Sequence, residues 1–177
     1  MNPSAFASRF AIGAYSALRA LGLGLLFAAA GAAQAAGTLS VTEKVDVAAP
    51  PAKVWDAIKD FKGWQAWHPA IAGTDISKGG GNDKGTVRVL TTKDGARITE
   101  ELLAHDGKKH SYKYRITDSP LPVADYVSTI EVKPAKNGST VVWTSKFKAK
   151  GASDADARKT IAGIYRAGLD NLKNVVK

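Results

Sequence analysis

Apolar and polar residues alternate at the start of the interpretable pattern, with Leu39, Val41, Val45 and Val47 set against Ser40, Thr42, Lys44 and Asp46. A period of two marks a strand with one buried face, so a first strand is predicted here. Ala49-Pro50-Pro51 ends it. Proline fits a first helical turn, where its missing N–H costs nothing. Val54, Trp55, Ile58 and Phe61 then recur at helical spacing, which predicts a helix over 51–61 and a second short turn over 64–67, stopped by Pro69. From Ile71 the period returns to two. Strands are predicted near 71–77, 86–92, 97–105, 111–117, 126–133 and 140–148. They are divided by Gly79-Gly80-Gly81, Asp94-Gly95, Asp106-Gly107, Ser119-Pro120-Leu121-Pro122 and Asn137-Gly138. Asp94-Gly95 and Asn137-Gly138 suit tight hairpin turns, because their backbones accept positive φ at low cost.

A long helix over 154–176 closes the pattern. Ser153 is its expected N-cap, with Asp156 completing an approximate capping box. Ile161, Ile164, Tyr165, Gly168, Leu169, Leu172, Val175 and Val176 form a broad apolar face. Gly168 inside that face costs about 1 kcal/mol of helix propensity against Ala, which is tolerable if the sheet or a ligand must come close there. The order β-α-α-β-β-β-β-β-β-α, without repeat or linker, predicts an α+β domain. Its seven-stranded antiparallel sheet has one face to cover, and the long helix is the only element able to span it.

Residues 1–35 have a different character. They hold Arg9 and Arg19 but no acid, then an uncharged run over 20–33 centred on Leu21, Leu23, Leu25, Leu26 and Phe27, then Ala33-Gln34-Ala35. A basic start, a short apolar middle and an A-x-A end describe a secretory signal peptide. The run is shorter than the roughly 20 residues that cross a bilayer. The arginines are isolated, so the general secretory route is expected. Cleavage after Ala35 leaves a domain over 36–177 in the periplasm, with no transmembrane segment.

Composition narrows the chemistry. The chain has 177 residues, 45% of them hydrophobic and 23% charged, and no cysteine. That excludes a disordered chain, disulfides, thiolate nucleophiles and cysteine-held metals. The 25 basic and 16 acidic residues give +9, of which Arg9 and Arg19 leave with the signal peptide. Residues 36–107 carry 9 basic and 10 acidic residues, and residues 108–177 carry 14 and 6. Lys146, Lys148 and Lys150 alternate with the inward residues of their strand, so they point outward, together with Lys113, Arg115 and Lys133 on neighbouring strands. Two readings stand: a solvated surface, or a docking patch for an acidic periplasmic protein or anionic lipid headgroups. Export makes nucleic acid a poor partner.

On the inward faces, alternation places Tyr126, Ser128, Ile130 and Val132 together, then Trp143, Ser145 and Phe147, then Tyr112, Tyr114 and Ile116. Such a surface either fills a core or suits an amphipathic ligand. Glu100 lies between Ile98 and Leu102, so its carboxyl should be desolvated and its pKa raised. The alternative register turns Glu101 inward instead. For His68, a catalytic role needs a partner such as Asp60; otherwise it packs at the end of the helical segment and bonds a backbone carbonyl. His105 and His110 flank a turn and are expected to be exposed. Three histidines without ligand spacing give no metal site. No Gly-x-Ser-x-Gly, P-loop or Rossmann fingerprint occurs, and no cofactor is expected.

Particular words carry a resemblance: Val45-Asp46-Val47 with Pro50 and Pro51, Val54-Trp55-Asp56, Asp60-Phe61, Trp67-His68-Pro69, Glu100-Glu101-Leu102, Ser119 to Val123 leading to Tyr126, and Trp143 before Phe147. In this order, across 39–177, the chain resembles the START-like or Bet v 1-like (SRPBCC) superfamily, which includes polyketide cyclases and lipid-transfer domains. Trp-His-Pro and Pro-Leu-Pro-Val are similar to its exported MxaD-like branch, regarded as periplasmic accessory factors in methanol oxidation. The resemblance implies a helix-grip fold whose sheet curls around the last helix and leaves a cavity for an apolar or amphipathic small molecule. Trp67, Leu90, Glu100, Tyr112, Tyr114, Leu121, Pro122, Tyr126, Trp143, Phe147, Ile164, Tyr165 and Gly168 are the expected lining, with Leu121 and Pro122 at the entrance and Glu100 on the ligand's polar group. Two function classes follow: a non-catalytic binding or accessory protein, or a polyketide cyclase or dehydratase-type enzyme using a cavity acid. An enzyme needs a paired acid and base on the concave face, and only Glu100 has a claim, so binding leads.

Expressed in an exporting bacterium, the protein should appear in the periplasmic fraction with an intact mass that begins at Ala36. The uncleaved mass in that fraction would refute the cleavage site.

Overall fold

Residues 37–176 are described by the computed structural model; the expected signal peptide lies outside the described residues. The alternating segments become β1 (Leu39–Val47), β2 (Ile71–Lys78), β3 (Val87–Thr92), β4 (Arg97–Asp106), β5 (Ser111–Asp118), β6 (Val123–Ala135) and β7 (Gly138–Ala149). Helix α1 (Pro51–Ile58) and a 3-10 turn (Trp64–Ala66) follow β1, and α2 (Asp154–Val175) follows β7. All seven strands join one antiparallel sheet in the order β1-β7-β6-β5-β4-β3-β2. The chain is an α+β helix-grip domain, with the curled sheet wrapped around α2 as expected.

Helix α1 begins with Pro51 at its first position. Helical spacing extends it to Phe61, but the structure ends it at Ile58. The N–H of Phe61 leaves the helix to donate to Asn82 Oδ1 at 2.9 Å, in the loop after β2. That exit turns the Phe61 ring into the core, where it is fully buried. Ser153 caps α2 by accepting from the Asp156 N–H at 3.1 Å. The box closes through side chains rather than through the cap's own N–H, because Ser153 Oγ donates to Asp156 Oδ2 at 2.7 Å.

The two glycine turns differ. At β3–β4, Gly95 takes φ +87° and its N–H donates to Thr92 O at 3.0 Å, while Asp94 Oδ1 accepts from the Thr92 hydroxyl. At β6–β7, Ala135 pairs with Gly138, so Lys136 and Asn137 form the turn and Gly138 starts β7. Gly138 is required for another reason. Its φ is +133°, and a Cβ there would lie 2.3 Å from Val47 O, where the chain leaves β1.

Alternation puts Leu39, Val41, Val45 and Val47 of β1 into the core. Glu43 occupies the same inward parity at the edge strand and pairs with Arg166 of α2 at 3.0 Å. The buried stripe of α2 is Ala157, Ile161, Ala162, Tyr165, Gly168, Leu169 and Leu172. Gly168 faces neither the sheet nor ligand space. A Cβ on it would lie 2.6 Å from His68 Cδ2 and 3.0 Å from Trp67 Cζ3, so the helix rests directly on the segment after the 3-10 turn. Gly168→Ala should therefore lower stability by about 1–3 kcal/mol, because overpacking two buried rings outweighs the gain in helix propensity. Urea denaturation checks the sign; a stabilised variant would contradict the packing.

Candidate functional site: a cavity between sheet and C-terminal helix

The concave face of the sheet does not close fully on α2. A cavity of about 410 Å³ remains between them. Its floor is Leu90, Ile98, Glu100, Tyr114, Tyr126 and Trp143, and its roof is Ile161, Ile164 and Tyr165 of α2. Thr92 to Asp94 and Ala96 of the β3–β4 hairpin, with Pro120 and Leu121 of the β5–β6 loop, line the rim.

Of the thirteen residues expected to line it, Leu90, Glu100, Tyr114, Leu121, Tyr126, Trp143, Ile164 and Tyr165 do so. Five stand elsewhere. Trp67 is buried against Trp64 and Trp143, with ring centroids 5.1 and 5.6 Å away. Tyr112 accepts from Trp64 Nε1 at 2.9 Å and is covered by Trp55 of α1, with ring centroids 5.9 Å apart. Phe147 packs beside Tyr126 at 6.0 Å. Gly168 is occupied by its contact with His68. Pro122 is half-buried away from the cavity, so the rim belongs to Pro120 and Leu121.

Glu100 points inward with Ile98 and Leu102, and Glu101 turns outward to pair with Arg115 at 2.5 Å. What spacing alone did not supply is its partner. Arg88 of β3 is fully buried directly across from Glu100. Arg88 Nε donates to Glu100 Oε2 at 2.8 Å and Nη2 donates to the same oxygen at 2.5 Å. Nη1 donates to Phe61 O at 2.5 Å. The guanidinium lies between the rings of Phe61 and Trp64, at 3.9 and 3.8 Å from their centroids. Cation–π attraction and the two acceptors together offset the cost of removing this charge from water. Burial pushes the Glu100 carboxyl up from its ordinary value, and Arg88 opposes that shift. Protonating Glu100 would leave a buried guanidinium with no counter-charge, so at neutral pH the pair stays ionised.

A second polar group crosses from β6 to α2. Ser128 Oγ donates its single proton to Thr144 O at 2.7 Å. It therefore accepts from Tyr165 OH at 2.9 Å and from Trp143 Nε1 at 3.0 Å. With the Tyr165 proton so committed, Tyr126 OH donates to Tyr165. Trp143 Nε1 also reaches Tyr114 OH, at 3.0 Å. Burial pushes the hydroxyls of Tyr114, Tyr126 and Tyr165 far above the ordinary tyrosine value, so they stay protonated and serve as hydrogen-bonding tips rather than bases.

His68 lines one wall without a carboxylate partner. Its Nε2 lies 3.1 Å from Ile164 O and its Nδ1 accepts from the Ala70 N–H at 3.3 Å. That assigns the Nε2–H tautomer and the structural of the two readings. His105 and His110 are half-buried rather than exposed, because Trp55 of α1 packs on both at 5.2 and 5.8 Å. Among the described residues no group of histidines and acids could hold a metal ion.

All six patch cations are exposed. Three are paired: Arg115 with Glu101, Lys133 with Glu131 at 3.1 Å, and Lys148 with Asp125 at 2.8 Å. Lys113, Lys146 and Lys150 have no acid within ion-pair distance among the described residues. The patch thus carries about half the free charge that counting outward lysines suggests.

With this geometry in place, comparison with known proteins is direct. Residues 38–177 match the family described as polyketide cyclase / dehydrase and lipid transport, and the chain belongs to that family. Similar solved structures include the protein XoxI from Bacillus cereus, 31% identical, with a TM-score of 0.70 over 79% of this chain and 95% of that one. A protein from Thermobifida fusca is 28% identical, with a TM-score of 0.67 over 77% and 90% of the two chains. The structure of Ara h 8.0201, at 21% identity and a TM-score of 0.66 over 79% and 98%, shares the fold. No curated protein matches the chain.

Burial lowers the His68 pKa below the ordinary 6.5, with the Ile164 carbonyl opposing and Arg88 adding to the shift. The sign follows from linkage: the unfolded chain takes up a proton near 6.5 that the folded one refuses. The stability tied to neutral His68 is therefore complete above that value and is lost as pH falls toward the folded pKa. Urea midpoints measured from pH 7.5 to 5 should fall more steeply for the wild type than for His68→Gln. Parallel curves would mean that His68 is not held neutral.

Proposed function

We propose that the chain is exported to the periplasm and holds one apolar or amphipathic small molecule in the cavity, as a non-catalytic carrier or accessory protein. The observation that carries this reading is the cavity itself, apolar on most of its wall, with a few fixed polar tips. Its volume falls in the range of roughly 300–1,000 Å³ typical of small-molecule sites. Family membership supports the same class of ligand. Export rests on the pattern of residues 1–35.

The finer form of the proposal is assistance to a periplasmic redox system of the methanol-oxidising kind. The words Trp67-His68-Pro69 and Pro120-Leu121-Pro122-Val123 support it, and Lys113, Lys146 and Lys150 offer free charge to an acidic partner. The enzyme reading needs a cavity carboxyl that gains and loses a proton. Arg88 works against that at Glu100, holding the carboxylate charged.

The neutral fluorescent probe N-phenyl-1-naphthylamine should bind the purified domain one to one. Ile164→Trp, which adds bulk from the half-buried side of α2, should weaken binding about tenfold or more while the melting temperature stays within a few degrees. No binding by the wild type, or unchanged binding by the variant, would overturn the cavity reading.

A further inference from the structure

Arg88 would be the natural anchor for a carboxylate ligand, yet it does not line the cavity. Two of its nitrogens go to Glu100 Oε2, the third to Phe61 O, and aromatic rings cover both faces. What reaches the cavity is the other end of the pair. Glu100 lines the cavity, and its Oε1 takes no hydrogen bond among the described residues. On the neighbouring strand, Leu102 pairs with Tyr114, so Glu100 and Tyr114 are diagonal neighbours on one face. Tyr114 OH accepts from Trp143 Nε1 at 3.0 Å and is engaged with Ser128 as well, so it is already committed to the polar group on the other side of the cavity.

The cavity therefore presents one unused charged acceptor, Glu100 Oε1, on a largely apolar wall. We propose that it selects an apolar molecule bearing a hydroxyl, an alcohol or a phenol, and rejects carboxylates such as fatty-acid anions. A hydroxyl donates to Glu100 Oε1 and so pairs the one carboxylate oxygen that Arg88 leaves free. An ether or ester only accepts, and leaves the carboxylate unpaired. A carboxylate brings a second negative charge beside the Glu100 carboxylate, in a site whose cation is already paired and does not line the cavity.

This inference rests on the reading of the cavity as a ligand site, and the test separates the two. Displacement of N-phenyl-1-naphthylamine is compared for 4-octylphenol, its methyl ether and 4-octylbenzoate at pH 7.5, all with one apolar tail. The phenol should displace the probe at about tenfold lower concentration than the ether, and the benzoate should be weaker than both. Glu100→Gln leaves Arg88 without its counter-charge, so the benzoate should move to first place. Because that variant risks unfolding, the double change Arg88→Met with Glu100→Leu is made as well. Replacing a buried ion pair by apolar residues is commonly neutral for stability, and here it should erase the phenol's advantage over the ether. Equal displacement by all three molecules in the wild type, or a leading benzoate, overturns the hydroxyl inference and leaves the cavity standing. Failure of the probe itself to bind overturns the cavity reading.

Discussion

The ion pair between Arg88 and Glu100 is the interaction on which the interior depends. A guanidinium buried to zero exposure is tolerable only if every charged direction meets a partner, and each partner here comes from a different part of the chain. Glu100 comes from the next strand. The Phe61 carbonyl comes from the segment just after α1, and Trp64 from the 3-10 turn. The pair thus ties the sheet to the helical segment that follows β1, and fixes where that segment can lie. Trp67 and His68 follow directly on Trp64, and α2 rests on them through Gly168. Position of the long helix, and with it the height of the cavity roof, is inherited from this contact.

The same pair decides what kind of cavity this is. An apolar site containing an unpaired arginine would favour anions; one whose arginine is paired with a carboxylate does not. Specificity here comes less from the residues lining the wall than from a residue beside them on the next strand, which does not line the cavity. The tyrosine and serine group on the other side plays a comparable part. Its protons run in one direction, from Tyr126 through Tyr165 and Ser128 to a backbone carbonyl, and so join β6 to α2 in a fixed arrangement.

Much of this was legible from residue order. Alternation located every strand to within a few positions, because each has one wet and one dry face. It also placed Glu100 inward. The same parity places Arg88 with Leu90 on the buried face, and the Asp94-Gly95 turn sets Arg88 opposite Glu100. A buried basic residue is simply not suspected where charge is expected to mean surface. Other departures have a common cause: they depend on contacts between distant segments. Phe61 leaves α1 to meet Asn82, Gly138 is demanded by the chain leaving β1, and His105 and His110 are covered by Trp55. No local period encodes any of these.

The position of β1 carries a last consequence. It pairs with β7, not with its neighbour in sequence, so Ser40 bonds to Ser145 across 105 positions. The helix that closes the cavity, α2, follows later still. Contacts of such long sequence separation form slowly, because the entropy of closing the loop is lost before any burial is gained. Emerging from the ribosome, the chain cannot complete its interior until its final helix has been made. Topology alone keeps the interior of this domain open until α2 has left the ribosome.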